Sequence, residues 1–320
     1  MKVLRILQSY GSNKNAIPHS PLPTPYSLFF LLFALLSCQT APKTPDVSLD
    51  ERLPLEPGGY VYLLADKDAL PILTQIMFNN INNKQFQQMV DQTSVATVAV
   101  YVTHNEETGK PASRYRLAAW GNYPASRAKM ALGSSREWKK QRSPGGADYW
   151  SSPQGGLSIA LMGGMALIAT AAANEEPPDP FSAAPGIAPP EGFAAFREGS
   201  ILSCWLTDPG PAINLKIGEM GIPLEIPAEQ LFISFTPEGQ RYIARLQIQV
   251  ASASQARGLA MMFALARNFI PPQADTNNPA ALLMSVLFTN PPTQDENNLN
   301  VVTAPLTAQE TALLLKLFSL

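Results

Sequence analysis

The chain has 320 residues, with 25 acidic and 23 basic side chains and a formal net charge of −2. Lys2, Arg5 and Lys14 are the only charged residues among the first 37, so the remainder is more acidic still, which excludes nucleic acid or an anionic headgroup surface as the main partner, because both require a basic face. Two cysteines and two histidines exclude a disulfide framework and a histidine-rich zinc or iron site.

Residues 1–37 read as a lipoprotein signal peptide. The apolar run at 28–36 suits a signal core and is too short to span a bilayer. It ends in Leu35-Leu36-Ser37-Cys38, the pattern of a lipobox. Signal peptidase II would cut before Cys38, whose thiol would carry a diacylglycerol. The expected location is the cell envelope, on the periplasmic or surface side of the membrane that holds the lipid. Residues 38–57 follow as a tether, in which Pro42, Pro45, Pro54 and Pro57 favour an extended, semi-rigid chain.

Beyond the tether the sequence predicts two α+β halves, 58–173 and 191–320. A linker at 174–190 joins them, marked by Pro177, Pro178, Pro180, Pro185, Pro189 and Pro190. The halves read as copies. Residues 59–66 and 200–208 are both apolar strands that end in an aspartate, Asp66 and Asp208. Residues 98–103 and 231–236 each lead into a polar turn, and Arg114-Tyr115 and Arg241-Tyr242 open the return strands. Helices then start near Pro124 and Ser252. The order strand, helix, hairpin, helix, strand resembles a ferredoxin-like split unit, a fold that carries many functions.

Within the first half, Asp68 is placed to cap a helix whose Leu70, Leu73, Met77 and Ile81 recur at helical spacing. Residues 155–173 hold no charge and by length could span a membrane. The alternation of Leu157, Ile159 and Leu161 with smaller side chains instead predicts a strand. Gly163-Gly164 suits a two-residue primed turn, so a hairpin is expected here. In the second half, Leu259, Met262, Phe263, Ala266 and Phe269 mark one helical face, a short helix is expected at 280–288, and a strand at 299–302. Thr307 with Glu310 three residues on forms a capping box for a last helix.

Candidate sites are few. Arg136, Lys139, Lys140 and Arg142 surround Trp138, either as a basic-aromatic patch for phosphate, glycan or protein, or as an exposed strand with Trp138 turned into the core. Asp66 and Asp208 are the candidates for a carboxylate pair, or else are simple strand-end caps. His104 opens a polar turn, and Cys204, within an apolar strand, reads as a small buried hydrophobe. No nucleophile elbow, phosphate loop or calcium loop is present, and no cofactor is implied. Met130, Met162, Met165, Met261 and Met262 would matter if they lined a cavity for an apolar ligand.

The lipobox, the low charge and the tandem α+β pattern resemble lipoproteins of spirochaetes, treponemes in particular. That resemblance implies attachment to an envelope membrane through Cys38 and carries over no other functional residue. The expected function is a non-catalytic binding or structural role, with an envelope protein or glycan as the partner. The alternatives are a carboxylate-based hydrolase of envelope material and a carrier for an apolar ligand.

Overall fold

Strand β1, Val61–Asp66, sits in the middle of the sheet and is buried on both sides: Val61, Leu63 and Ala65 enter one core, Tyr62 and Leu64 another. This is why the strand is apolar up to its terminal Asp66 rather than alternating. The computed structural model describes residues 52–69, 72, 92–104, 111–152, 156–171, 175–182, 186–219, 225–267 and 285–317. The helix expected over 70–81 lies outside these residues apart from Ile72, which is buried, as do Cys38 and most of the tether.

The remaining strands are β2 (Thr93–His104), β3 (Pro111–Gly121), β4 (Lys139–Arg142), β5 (Asp148–Ser152), β6 (Leu157–Met162), β7 (Met165–Thr170), β8 (Leu202–Thr207), β9 (Gln230–Glu238), β10 (Arg241–Gln249), β11 (Thr293–Asp295) and β12 (Asn298–Val302). All twelve strands among the described residues belong to one sheet, in the order β11-β12-β10-β9-β8-β1-β2-β3-β7-β6-β5-β4. Every pairing is antiparallel. The fold is therefore mixed α+β, as expected, but a split unit would seat another strand between β1 and β2. Here those two pair directly, Val61 opposite Val100. The long connection after β1 lets the chain return antiparallel beside it, and strand order of that kind is not written in local periodicity.

Helices α1 (Ala125–Ser134), α3 (Gly210–Glu219), α4 (Ala253–Arg267) and α5 (Ala308–Leu317) pack on the first face. They contribute Ala128, Leu132, Ile213, Leu259, Phe263 and Leu314 to its core. The capping box forms as expected: the Thr307 N–H donates to Glu310 Oε2 at 2.7 Å, and the Glu310 N–H donates to Thr307 Oγ1 at 3.2 Å. Leu259 and Phe263 bury the expected face of α4, while Met262 is exposed. The 157–170 segment is a hairpin, with Met162 opposite Met165. Only Gly164 takes a positive φ, +79°, so the turn is not of the doubly positive primed kind.

The second face is covered mainly by irregular chain. Leu53 and Leu55, inside the stretch read as tether, are fully buried there. Leu53 exchanges backbone hydrogen bonds with Ile187 at 2.9 and 3.0 Å. The single helical turn α2, Phe193–Phe196, places Phe193 edge-on to Trp205 at 4.7 Å, and Trp205 stacks on Tyr62 at 4.8 Å. Tether and linker thus extend into two straps across the sheet, because their leucines, isoleucine and phenylalanines have an apolar face to cover.

One ionic cluster fastens both straps. Arg116 on β3 is 5% exposed. Its guanidinium donates to Glu56 Oε1, to Ser182 Oγ at 2.6 Å and to the Asp179 carbonyl at 3.0 Å. The Glu56 carbonyl accepts from the Tyr62 and Tyr101 hydroxyls at 2.8 and 2.7 Å. Arg114 lies 3.6 Å from Glu56 Oε2 and over the Tyr101 ring. Removing one member of a buried pair strands the other charge. Arg116→Met should accordingly lower the unfolding free energy by about 3 kcal/mol in denaturant titration, and a loss under about 1 kcal/mol would show that the cluster is merely superficial.

Candidate functional site at a basic sheet edge

The four residues of β4, Lys-Lys-Gln-Arg, are all exposed and contain no apolar side chain. Such a strand has nothing to bury and is suited only to a sheet edge. Trp138 and Trp150 anchor it from the first-face core at 5% and 3% exposure. The structure thereby separates the basic-aromatic group read from the sequence. Arg136, Lys139, Lys140 and Arg142 face solvent, while Trp138 is turned inward.

A short turn sets the geometry of the β4–β5 hairpin. The Ser143 N–H donates to the Ala147 carbonyl at 2.8 Å, the Gly146 N–H donates to the Ser143 carbonyl at 2.9 Å, and Gly146 has φ +83°. Ser143 and Ala147 are therefore a hydrogen-bonded pair. In an antiparallel ladder such pairs alternate. With Lys139 opposite Ser151, Lys140 opposite Trp150, Gln141 opposite Tyr149 and Arg142 opposite Asp148, the bonded pairs are those of Lys139 and Gln141. The N–H and C=O groups of Lys140 and Arg142 point away from the sheet.

Charge at this edge is predominantly positive. Lys129 on α1, Arg136, Lys139, Lys140 and Arg142 are exposed, against Glu137 and Asp148. Lys140 Nζ lies 2.6 Å from Asp148 Oδ2. That hydrogen bond, with the charges of Lys140, Arg142 and Lys129, holds the Asp148 carboxyl below its ordinary range. The edge was visible in the sequence as a run of cations. The outward set of the Lys140 and Arg142 backbone was not, because it depends on the turn's register.

The other sequence-read candidates do not converge. β1 and β8 are antiparallel, Val61 opposite Leu206 and Ala65 opposite Leu202, so Asp66 and Asp208 lie at opposite ends of their seam, on the order of 20 Å apart at strand rise. Asp66 sits 3.8 Å from Arg197 Nη2, while Asp208 takes a left-handed φ of 48°. Cys204 is fully buried and unbonded to another cysteine, and burial pushes its thiol far above the ordinary range. His104 is the last residue of β2, in register with Pro111. Met130, Met261 and Met262 are exposed on α1 and α4, whereas Met162 and Met165 pack at the hairpin tip against Ala118, Ala160 and Leu167. Among the described residues no group of three His, Cys, Asp or Glu side chains is placed to hold a metal ion. Nor is any helix among them long and apolar enough to cross a membrane.

No family model matches the chain, and no curated protein does. Among solved structures, the chain is similar to TP0453, a Treponema pallidum protein, in three crystal forms. Form III aligns with a TM-score of 0.57 at 14% identity, covering 84% of this chain and 98% of that one. Form I gives 0.55 at 14% over 87% and 100%, and form IV 0.52 at 12% over 85% and 97%. At these identities the likeness is one of fold.

Burial raises the Asp66 carboxyl above its ordinary range, and Arg197 opposes this in part. The folded chain therefore holds that proton more tightly than the unfolded one does. Stability from this group is complete at acid pH and is lost as pH rises through the raised pKa. Asp66→Asn should consequently shift Tm more favourably, relative to the parent chain, at about pH 7 than at about pH 3.5. An equal shift at both would contradict the assignment.

Proposed function

We propose that this protein is a lipid-anchored cell-envelope protein whose soluble part acts by binding, without catalysis. The observation that carries this reading is Leu35-Leu36-Ser37-Cys38 at the end of an uncharged apolar run. Lipid on Cys38 confines the chain to a surface and raises the effective concentration of a weak binder. The fold shared with a Treponema pallidum protein accords with the resemblance to spirochaete lipoproteins.

Binding is favoured over hydrolysis by the separation of Asp66 and Asp208. Two carboxylates acting on one glycosidic bond work within roughly 5–10 Å of each other, and the β1–β8 seam holds these two much farther apart. It is favoured over carriage of an apolar molecule by the scatter of the methionines over two helices and a hairpin tip.

We read the two flanks of the sheet as copies of one unit joined at that seam. Outward from it, the first flank runs β1, β2, β3, β7, β6, β5, β4 and the second β8, β9, β10, β12, β11, so the order matches over five strands and the first flank carries two more at its rim. Each has a helix, α1 or α4, directly after its third strand. On this reading 58–173 and 191–320 are the repeats and 174–190 is the linker, part of which now serves as a strap.

Labelled fatty acid should be incorporated into the protein in cells and the mature chain should partition into detergent. Cys38→Ala should abolish both the label and cleavage before residue 38. Label retained in that variant would place the anchor elsewhere. Asp66→Asn with Asp208→Asn should leave binding to envelope material unchanged within about twofold. Turnover of an envelope glycan or ester by the purified parent chain, abolished by that double variant without unfolding, would overturn the binding reading.

A further inference from the structure

We infer that β4 is a strand-addition site for an extended segment of a partner protein that carries carboxylates at alternate positions. The inference deepens the binding role proposed above and rests on it.

Among the described residues β4 ends the sheet, and its outer N–H and C=O groups belong to Lys140 and Arg142. An added antiparallel strand would make its hydrogen-bonded pairs with those two residues. In such a pair the side chains of opposed residues stand about 5.5 Å apart at the α-carbons, on the same side of the sheet. Residues of the incoming strand opposite Lys140 and Arg142 are two positions apart. They share the face on which Trp138 and Trp150 are buried.

Charge selects the kind of strand. Cations on an edge ordinarily keep it from pairing with apolar or basic strands. The same cations attract a strand bearing acid at every second residue, since opposite charges directly across a ladder stabilise it and like charges destabilise it. The surplus of cations here stands out in a chain that is acidic as a whole. The indole N–H groups of Trp138 and Trp150, in the core beneath this edge, are buried and have no acceptor among the described residues. The opposite sheet edge, β11, offers Asp295 alone within its three residues and so lacks the alternating pair.

The test uses the full lipidated chain in detergent micelles and two synthetic peptides, acetyl-Val-Glu-Val-Glu-Val-Glu-amide and its lysine counterpart. Residue-resolved hydrogen exchange is read with and without peptide. The acidic peptide should slow exchange at the Lys140 and Arg142 amides at least tenfold, with Lys139 and Gln141 little changed and with the effect weakened by salt. The lysine peptide should do nothing. Lys140→Pro removes an outward donor while leaving the β4–β5 ladder intact and should abolish the protection. Lys140→Gln should retain the backbone pairing and weaken it. Protection by both peptides alike, or by neither, would overturn the inference. So would protection of β4 without peptide that grows with protein concentration, since a second copy would then be the occupant. Protection by anionic phospholipid vesicles in place of the acidic peptide would likewise overturn it. None of these results bears on lipid attachment at Cys38.

Discussion

The contact on which the sheet most depends is the one between Arg116 and Glu56. A guanidinium cannot shed its charge, and Arg116 is almost wholly removed from water. It has to be met by an anion and by further acceptors, and all of them come from chain that is neither strand nor long helix: Glu56, Ser182 and the Asp179 carbonyl. Glu56 in turn receives the hydroxyls of Tyr62 and Tyr101 through its carbonyl. Burial raises both phenols above their ordinary range, so they stay neutral donors. The cluster therefore fixes the two straps at a single point. The apolar layer of Leu53, Leu55, Phe193 and Trp205 closes over the second face behind it.

This closure explains the composition of the strands. A sheet wet on one side alternates apolar and polar residues; one covered on both sides cannot. β1 and β8 show near-continuous apolar runs because helices lie on one face and straps on the other. Toward the rims the cover thins and the alternation returns, as in β10, where Ala244, Leu246 and Ile248 are buried between half-exposed polar neighbours. At the last strand nothing apolar remains. The basic edge is thus a consequence of where cover ends, and an end strand is where backbone donors face outward.

What the sequence made legible was local. The Thr307–Glu310 box spans three residues, the 157–170 hairpin spans one turn, and Cys204 lies inside a single apolar strand; each is settled by neighbours along the chain. What it hid was distant. Glu56 meets Arg116 across 60 positions and Ser182 across 126, and nothing at any one of them announces the others. Arg114 and Arg116 at alternate positions of a strand were a partial signal, since two cations on one face of an apolar ladder need an anion. The prolines of residues 38–57 and 174–190 favour extended chain, but they do not report that Leu53, Leu55 and Ile187 among them cover a sheet face. The β1–β8 seam was also hidden, because strand pairing depends on the sheet as a whole. That seam separates Asp66 from Asp208 and so decides against a shared cleft.

The strands of the described residues form one continuous sheet across the β1–β8 seam, fastened by one ionic cluster. Native-state hydrogen exchange on the full chain under increasing denaturant tests this most directly. Amides of Tyr62, Leu64, Val98 and Trp205, on both sides of the seam, should merge into a single slowest unit that exchanges only with global unfolding. If the β1–β7 and β8–β12 flanks instead opened as two units with separate free energies, the single-sheet account would be contradicted.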